Sequence, residues 1–420
     1  MIRRMSVVSL LLTLATGASA ATSTCQFERV PVGVQKQGAW IDKSNWLAIE
    51  HQRLSLQFGE VFMPAWRMAP SGDGKTVIAK QRPLDDFPVT DPLDGSGRDL
   101  GFLLDSRLYA DGLVVLRNGR VVAERYRNGM LPDKPRLLLE ATRPLLNLLG
   151  AISISQGKLA ADKSVSRFLP SLTSSAGLRK MSIRRLLESE EHAEWTSEEL
   201  DAWRRASGWT SSQGADNVRA WLSQGGRWDK PLREQGMNGL SATPEDDLLA
   251  WVLAESNAMP LSRLFCEQLL VRARPEHPVL WLTDSQGIEL ATGLSLSLRD
   301  FAKLGQVLLD TRNGRNRGKI PMWFIETLTA SSGLRTAKIK GLAKGSEQRY
   351  GFVHLGGASN RVALIAPQGT SLYIDFDKRL VVALFATRPG DNAPGMLATL
   401  EQLWKGIEQA GRRQEKGRNP

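Results

Sequence analysis

The dipeptide Asn118-Gly119 stands between two β-prone runs, Leu113–Leu116 and Val121–Tyr126. Both central residues of the favoured two-residue hairpin turn need positive φ, so Asn-Gly in this setting is a strong hairpin signal. The chain then changes period. From Glu140 to Leu159, apolar residues at 145, 146, 148, 149, 152 and 154 follow helical spacing and leave little polar surface, which predicts a buried helix. Pro144 confines the start of that helix, because proline is tolerated only in a first turn. Helical patterns follow at Met181–Leu187, Pro244–Ser256, Leu261–Val271, Leu298–Leu309 and Pro321–Leu328. Arg361–Ile365, Ser371–Ile374 and Leu380–Phe385 then alternate like antiparallel strands, and Ala393–Ile407 closes as a helix. Strands, a helical middle, then strands and a helix define an α+β protein, an antiparallel sheet flanked by helices with a mostly helical middle subdomain.

The first twenty residues read as an export leader. Arg3 and Arg4 precede the apolar run Val7–Leu14, and Ala18-Ser19-Ala20 offers a cleavage point. The run is far shorter than the ~20 residues that span a bilayer, so the expected destination is periplasmic or secreted. Thr22-Ser23-Thr24 before Cys25 lacks the pattern of a lipidation site. Residues 21–105, with Trp40, Trp46, Trp66 and a Gly/Pro/Asp-rich stretch from Ser71 to Gly97, read as an N-terminal extension that wraps the main domain or packs beside it. The main domain would occupy 106–409. Arg412, Arg413, Lys416 and Arg418 mark 410–420 as a basic tail. The two cysteines, Cys25 and Cys266, leave two states open, a disulfide permitted by an oxidising compartment or a buried free thiol within the helical pattern Leu261–Leu270. The formal charge of +11 suits peripheral contact with anionic envelope polymers or lipid headgroups, whereas the scatter of basic residues argues against nucleic acid.

Seven stretches, taken in order, resemble one family. They are Leu113–Tyr126, Gly157-Lys158-Leu159, Ser166–Pro170, Met181–Leu187, Asp247–Val252, Leu298–Gly305 and Leu372–Asp375. Together they are similar to the serine β-lactamase-like family, which includes penicillin-binding proteins, class C β-lactamases, esterases and 6-aminohexanoate-dimer hydrolases. The resemblance runs from Asp111 to Ile407 and implies a β-lactamase/transpeptidase-like fold with no metal or organic cofactor. It also implies three chemical elements: Ser-x-x-Lys at a helix start, Tyr-x-Asn or Tyr-x-Ser, and a Lys-Thr-Gly or His-x-Gly element on a strand. The nucleophile needs a neighbouring base, because a free hydroxyl is barely nucleophilic at neutral pH. In this chain the nucleophile position falls on Glu140 and the lysine position on Arg143. The tyrosine position falls on Ser241, its polar companion on Thr243, and the strand element on Pro367-Gln368-Gly369, where the glycine alone persists. Arginine is a poor base, since its pKa lies above ~12.

Two readings of the helix start follow. Glu140 and Arg143, three residues apart, would form an ion pair that stabilises the first turn. Otherwise Glu140 would be a carboxylate nucleophile positioned by Arg143, with Ser241 assisting. His192, among Glu190, Glu191 and Glu194, reads as a solvated loop or as a cation ligand without the two-histidine zinc spacing. His354 reads as a hydrogen-bonded sheet histidine, or as a base if a serine faces it. His51 and His277 carry no motif. The polar, Trp-rich segment 188–235 reads as loop that covers the cleft. The functional expectation is an exported β-lactamase-like protein that has lost serine-hydrolase chemistry and binds an amide-containing or cell-envelope ligand, or a protein partner, through the inherited cleft. The alternatives are an amidase or esterase using relocated residues, such as Ser241 with His354, and a scaffold built on the Trp-rich segments.

Overall fold

The computed structural model describes residues 25–33, 40–69, 74–81, 83–172, 174–188, 191–211, 217–234, 242–330, 339–357, 360–390 and 393–416. The hairpin forms where Asn118-Gly119 demands it. Strands Ala110–Arg117 and Arg120–Tyr126 pair around Asn118 at φ 51° and Gly119 at φ 74°. They end a seven-stranded antiparallel sheet ordered 347–349, 352–354, 361–365, 371–375, 380–386, 110–117 and 120–126. Leu380–Ala386 lies between the early hairpin and Ser371–Asp375, and all seven of its residues are buried because both faces of the sheet are covered. Helices Arg143–Ser155, Pro244–Asn257 and Leu298–Arg312 contribute to the core on one face. The terminal helix Ala393–Lys416, with Leu100, Leu103 and Leu104, fills the other. Gly305 lets the Leu298 helix approach the sheet, since a Cβ there would lie 2.7 Å from Val381 Cγ1.

A second, five-stranded sheet is ordered Phe27–Val30, Ala65–Met68, Val279–Thr283, Glu289–Leu296 and Arg136–Leu137. The N-terminal extension therefore joins the fold through backbone hydrogen bonds, with Leu280 paired to Arg67 and Trp281 to Trp66. The sequence pattern does not mark Val279–Thr283 as a strand. Every residue of it is buried, so alternation is lost, and a short apolar run has no helix-or-strand signature of its own. Trp46 anchors the extension further. It stacks on Phe62 and Trp209, and its indole N–H donates to the Trp209 carbonyl at 3.1 Å.

Three expectations are corrected. Segment 188–235 is not simply loop; it holds helices Ser197–Ala206 and Val218–Leu222 and the strand pair Glu191–Ala193 with Leu232–Glu234. A capping box starts the first of these helices, with Thr196 N–H donating to Glu199 Oε2 and Glu199 N–H to Thr196 Oγ1. The terminal helix runs to Lys416, so Arg412, Arg413 and Lys416 lie on helical backbone rather than in a polar tail. The pattern Leu261–Val271 is interrupted by a π-helical turn at Cys266–Leu270. Arg418 and the leader-like first twenty residues lie outside the described residues. No helix among the described residues is long and apolar enough to cross a membrane.

Cys25 and Cys266 form a disulfide, with Cα atoms 6.2 Å apart and 241 positions between them in the chain. The bridge ties the segment before the first strand to the π turn and settles the two cysteine states in favour of the bond. A loop of this length predicts that Cys25→Ser with Cys266→Ser loses about 2–5 kcal/mol of stability. Urea unfolding of the double variant against the oxidised wild type measures the loss.

Candidate functional site

The site is organised by the first turn of the Pro244 helix. Pro244 at the helix start and three successive acids in the first turn suit a helix N-terminus, where negative charge is favoured. Glu245, Asp246 and Asp247 are only 2–4% exposed, so each buried carboxylate needs its own donors. Asp246 Oδ1 lies 2.8 Å from Arg143 Nε, and its Oδ2 accepts the Thr243 backbone N–H at 2.9 Å. Glu245 accepts from the Ala193 N–H at 2.8 Å and from the Trp195 indole at 3.0 Å. Asp247 accepts from the Trp203 indole and the Ala291 N–H, both at 2.8 Å. One helical turn thus joins the Arg143 helix, the stretch from Ala193 to Trp203 and the smaller sheet.

Glu140, at the nucleophile position, sits in the 3₁₀ turn Leu139–Thr142, behind a left-handed Leu139 with φ 49°. The expected Glu140–Arg143 ion pair does not form. The packing of the Arg143 helix on the Pro244 helix presents Asp246 to the guanidinium instead. The Glu140 carboxylate accepts the Ala242 N–H, but its Oε2 is buried without a hydrogen-bond partner among the described residues. Burial, reinforced by the charge of Asp246, pushes its pKa up to about 7 against the opposing pull of the backbone donors and Arg204. A carboxyl that is half protonated at neutral pH is a weak nucleophile.

His192 corrects the solvated-loop reading. It is 6% exposed, on strand Glu191–Ala193, with Nε2 3.4 Å from an Arg143 amino group. Guanidinium nitrogens only donate, so Nε2 accepts and the ring proton resides on Nδ1. Nδ1 faces Thr243 Oγ1 at 3.1 Å and Glu245 Oε2 at 3.6 Å. In this tautomer the imidazole donates toward Thr243 and does not accept its proton. The cluster has the residue types of a hydroxyl–imidazole–carboxylate relay and the wrong proton polarity for one. The same guanidinium excludes a cation at Nε2, and no metal-binding group of three or more His, Cys, Asp or Glu exists among the described residues. Burial alone would raise the Glu245 pKa, but its bond to His192 and its N–H donors hold it below the usual value.

The structure brings together Glu140, Arg143, Thr243 and His192. Ser241 lies outside the described residues. Gln368 and Gly369 occupy the turn between strands Arg361–Ile365 and Ser371–Asp375. There a Cβ on Gly369 would face Ala386, Met396 and the Leu108 carbonyl, while the Gln368 carbonyl accepts the Arg388 N–H. The sheet approaches the Arg143 helix at a different turn, where a Cβ on Gly351 would lie 3.1 Å from Pro144 Cγ and 3.2 Å from Asn147 Nδ2. Asn147 is fully buried, and neither end of its amide has a partner among the described residues. His354 is a buried sheet histidine bonded to the Leu328 backbone, and burial lowers its pKa, which keeps the ring neutral. Sequence reasoning missed Glu245, Asp246 and Asn147. Thr243-Pro-Glu-Asp-Asp247 is legible as a helix start, but nothing in it announces that the acids are buried.

No protein-family model matches the chain. Over 277 residues it is 22% identical to the 6-aminohexanoate-dimer hydrolase of Paenarthrobacter ureafaciens, a match covering 63% of this chain and 69% of that one. Its fold matches a Bacillus anthracis protein provisionally named a 6-aminohexanoate-dimer hydrolase, with a TM-score of 0.75, 18% identity and coverage of 90% and 99%. EstCE1, a hydrolase with promiscuous acyltransferase activity, matches at a TM-score of 0.54, 16% identity and coverage of 73% and 97%. The octameric penicillin-binding protein homologue of Pyrococcus abyssi matches at 0.51, 15% identity and coverage of 72% and 76%. The chain thus has the β-lactamase/transpeptidase-like fold, and in sequence it is similar to a 6-aminohexanoate-dimer hydrolase.

Two outcomes follow from these side chains. Arg143→Ala leaves Asp246 buried and unpaired, and should cost about 3–5 kcal/mol in urea unfolding. Glu140 has a folded pKa of about 7 against an ordinary 4.5, so between those values the native state holds a proton that the unfolded chain has released. Stability therefore falls as pH rises through this window, by up to about 3 kcal/mol for this group. Asp247, pushed up to about 7 chiefly by burial, adds a separate loss over the same range. Glu140→Gln should remove its own share and leave the Asp247 share, as read from urea midpoints at pH 5 and pH 8.

Proposed function

We propose that this protein is a non-hydrolytic member of its family, exported from the cytoplasm, whose inherited cleft binds an amide-containing or cell-envelope ligand. One observation carries the reading: Arg143, where a catalytic base would stand, is held in a buried ion pair with Asp246 and donates toward His192. A guanidinium so held has no basic lone pair with which to take a nucleophile's proton. Glu140, at the nucleophile position, supports the same reading, because acyl transfer through a carboxylate would create a labile anhydride. The Thr243–His192–Glu245 cluster offers no replacement, given the direction of its hydrogen bonds. The amide ligand class rests on the similarity to an amide-cleaving relative. Export is supported by the leader-like residues 1–20 and by the Cys25–Cys266 bond, which suits an oxidising compartment.

Intact mass spectrometry after incubation with a fluorophosphonate and with a fluorescent penicillin tests the proposal. The folded protein should gain no covalent mass from either probe. A stoichiometric adduct mapped to one side chain, Ser241 included, would overturn the reading and identify an unconventional nucleophile.

A further inference from the structure

Away from the cleft, a cavity of about 210 Å³ opens between residues 74–77, the Gly119 turn, the end of the π-interrupted helix and the Leu298 helix. Its apolar lining includes Leu116, Val307 and Val77, while Lys75, Arg272 and Gln306 bring polar groups to it. Arg272 donates one amino group to the Glu267 and Gln268 carbonyls, which fixes the guanidinium and leaves its other N–H groups for a further acceptor. No carboxylate among the described residues forms an ion pair with Arg272 or with the exposed Lys75. Burial accordingly lowers the Arg272 pKa. The other charges at the cavity are committed. Lys303 is bound to Glu276 at 2.9 Å, and Asp310 to Arg315 at 3.1 Å and to the Gln306 amide N–H at 2.9 Å. That last bond leaves Gln306 Oε1 buried without a donor.

The cavity therefore presents cations without a carboxylate partner and one buried acceptor without a donor among the described residues. Its rim supplies a third requirement. Val77 is 58% and Ile78 50% exposed, on a segment held firmly by Val121 N–H to the Val77 carbonyl and Ala79 N–H to the Val121 carbonyl. Exposed Lys75 and Lys80 flank this apolar pair. Two exposed aliphatic side chains between lysines, beside a cationic cavity, match the boundary between lipid headgroups and acyl chains. We propose that the cavity takes the hydroxyl-bearing phosphate head of an anionic phospholipid, and so docks the protein peripherally on a lipid surface. The phosphate meets Arg272 and Lys75, a headgroup hydroxyl donates to Gln306 Oε1, and Val77 and Ile78 rest among the first acyl carbons. The same head chemistry occurs in soluble glycerol phosphate, which lacks the apolar part.

Flotation of the full chain with vesicles of 30% phosphatidylglycerol in phosphatidylcholine, and with pure phosphatidylcholine vesicles, tests this. The wild type should float with the anionic vesicles and stay behind with the neutral ones. Lys75→Gln and Arg272→Gln should each weaken the partition about fivefold. Val77→Asp should weaken it at least as much, while Lys180→Gln with Arg184→Gln, at exposed positions elsewhere, should leave the cavity-dependent part intact. Arg272→Lys, with its charge kept, separates loss of charge from loss of fold, and thermal melts accompany each variant. Absence of flotation, or equal losses from the Lys180/Arg184 pair and the cavity variants, would overturn the proposal. Calorimetric binding of glycerol phosphate by a protein that ignores vesicles would likewise overturn it in favour of a soluble phosphate ester.

Discussion

The ion pair between Arg143 and Asp246 is the interaction on which the arrangement of the cleft depends. It joins the first turns of two helices at their N-terminal ends, with the Asp246 side chain buried and that of Arg143 largely so. A buried pair of this kind adds little net stability against a well-packed apolar alternative, but removing one member is severe. Its effect is on geometry. With Asp246 fixed to Arg143, its neighbours Glu245 and Asp247 are aimed in other directions. Glu245 then takes the strand bearing Ala193 and Trp195, and Asp247 takes Trp203 and Ala291. The His192 tautomer is a downstream result, since it is the Arg143 guanidinium that requires a lone pair on Nε2.

The contacts of Arg143 and Glu140 fit the proposed reading. A largely buried guanidinium at position 143 would be unpaired unless a carboxylate were delivered to it, and the Pro244 helix delivers one. A glutamate at position 140 is hard to bury as an anion, and its surroundings keep it substantially protonated near neutral pH. Asp246, Glu245 and His192 are tied to neighbouring groups, while Glu140 Oε2 and both ends of the Asn147 amide stay without partners among the described residues.

Much of the fold is legible in the sequence because the large sheet and its helices obey simple periods. Asn118-Gly119, Pro144, the Leu298–Leu309 stripe and the strands from Arg361 onward all appear where local chemistry places them. The smaller sheet is less legible. Its central strands are buried on both sides, and its pairing partners come from opposite ends of the chain, so neither alternation nor proximity reveals them. Of the site, Glu140 and Arg143 are singled out in the sequence by their order before the Leu-rich helix, whereas their partners are not. Asp246 meets Arg143 across 103 positions only because two helices cross, and the local Glu140–Arg143 spacing that suggests an ion pair carries no sign of a carboxylate supplied from so far along the chain.

The placement of Leu380–Ala386 between the early hairpin and the strands before it bears on how the chain acquires its structure. The hairpin forms from local contacts, but it has no neighbour on its inner edge until residue 380 has emerged. The strands near residues 27 and 66 likewise wait for Val279–Thr283 before their sheet can grow. Both sheets therefore close by pairings across more than two hundred positions, which places this chain among topologies that assemble slowly and late. Until then two unpaired β edges stand open to pairing with other chains.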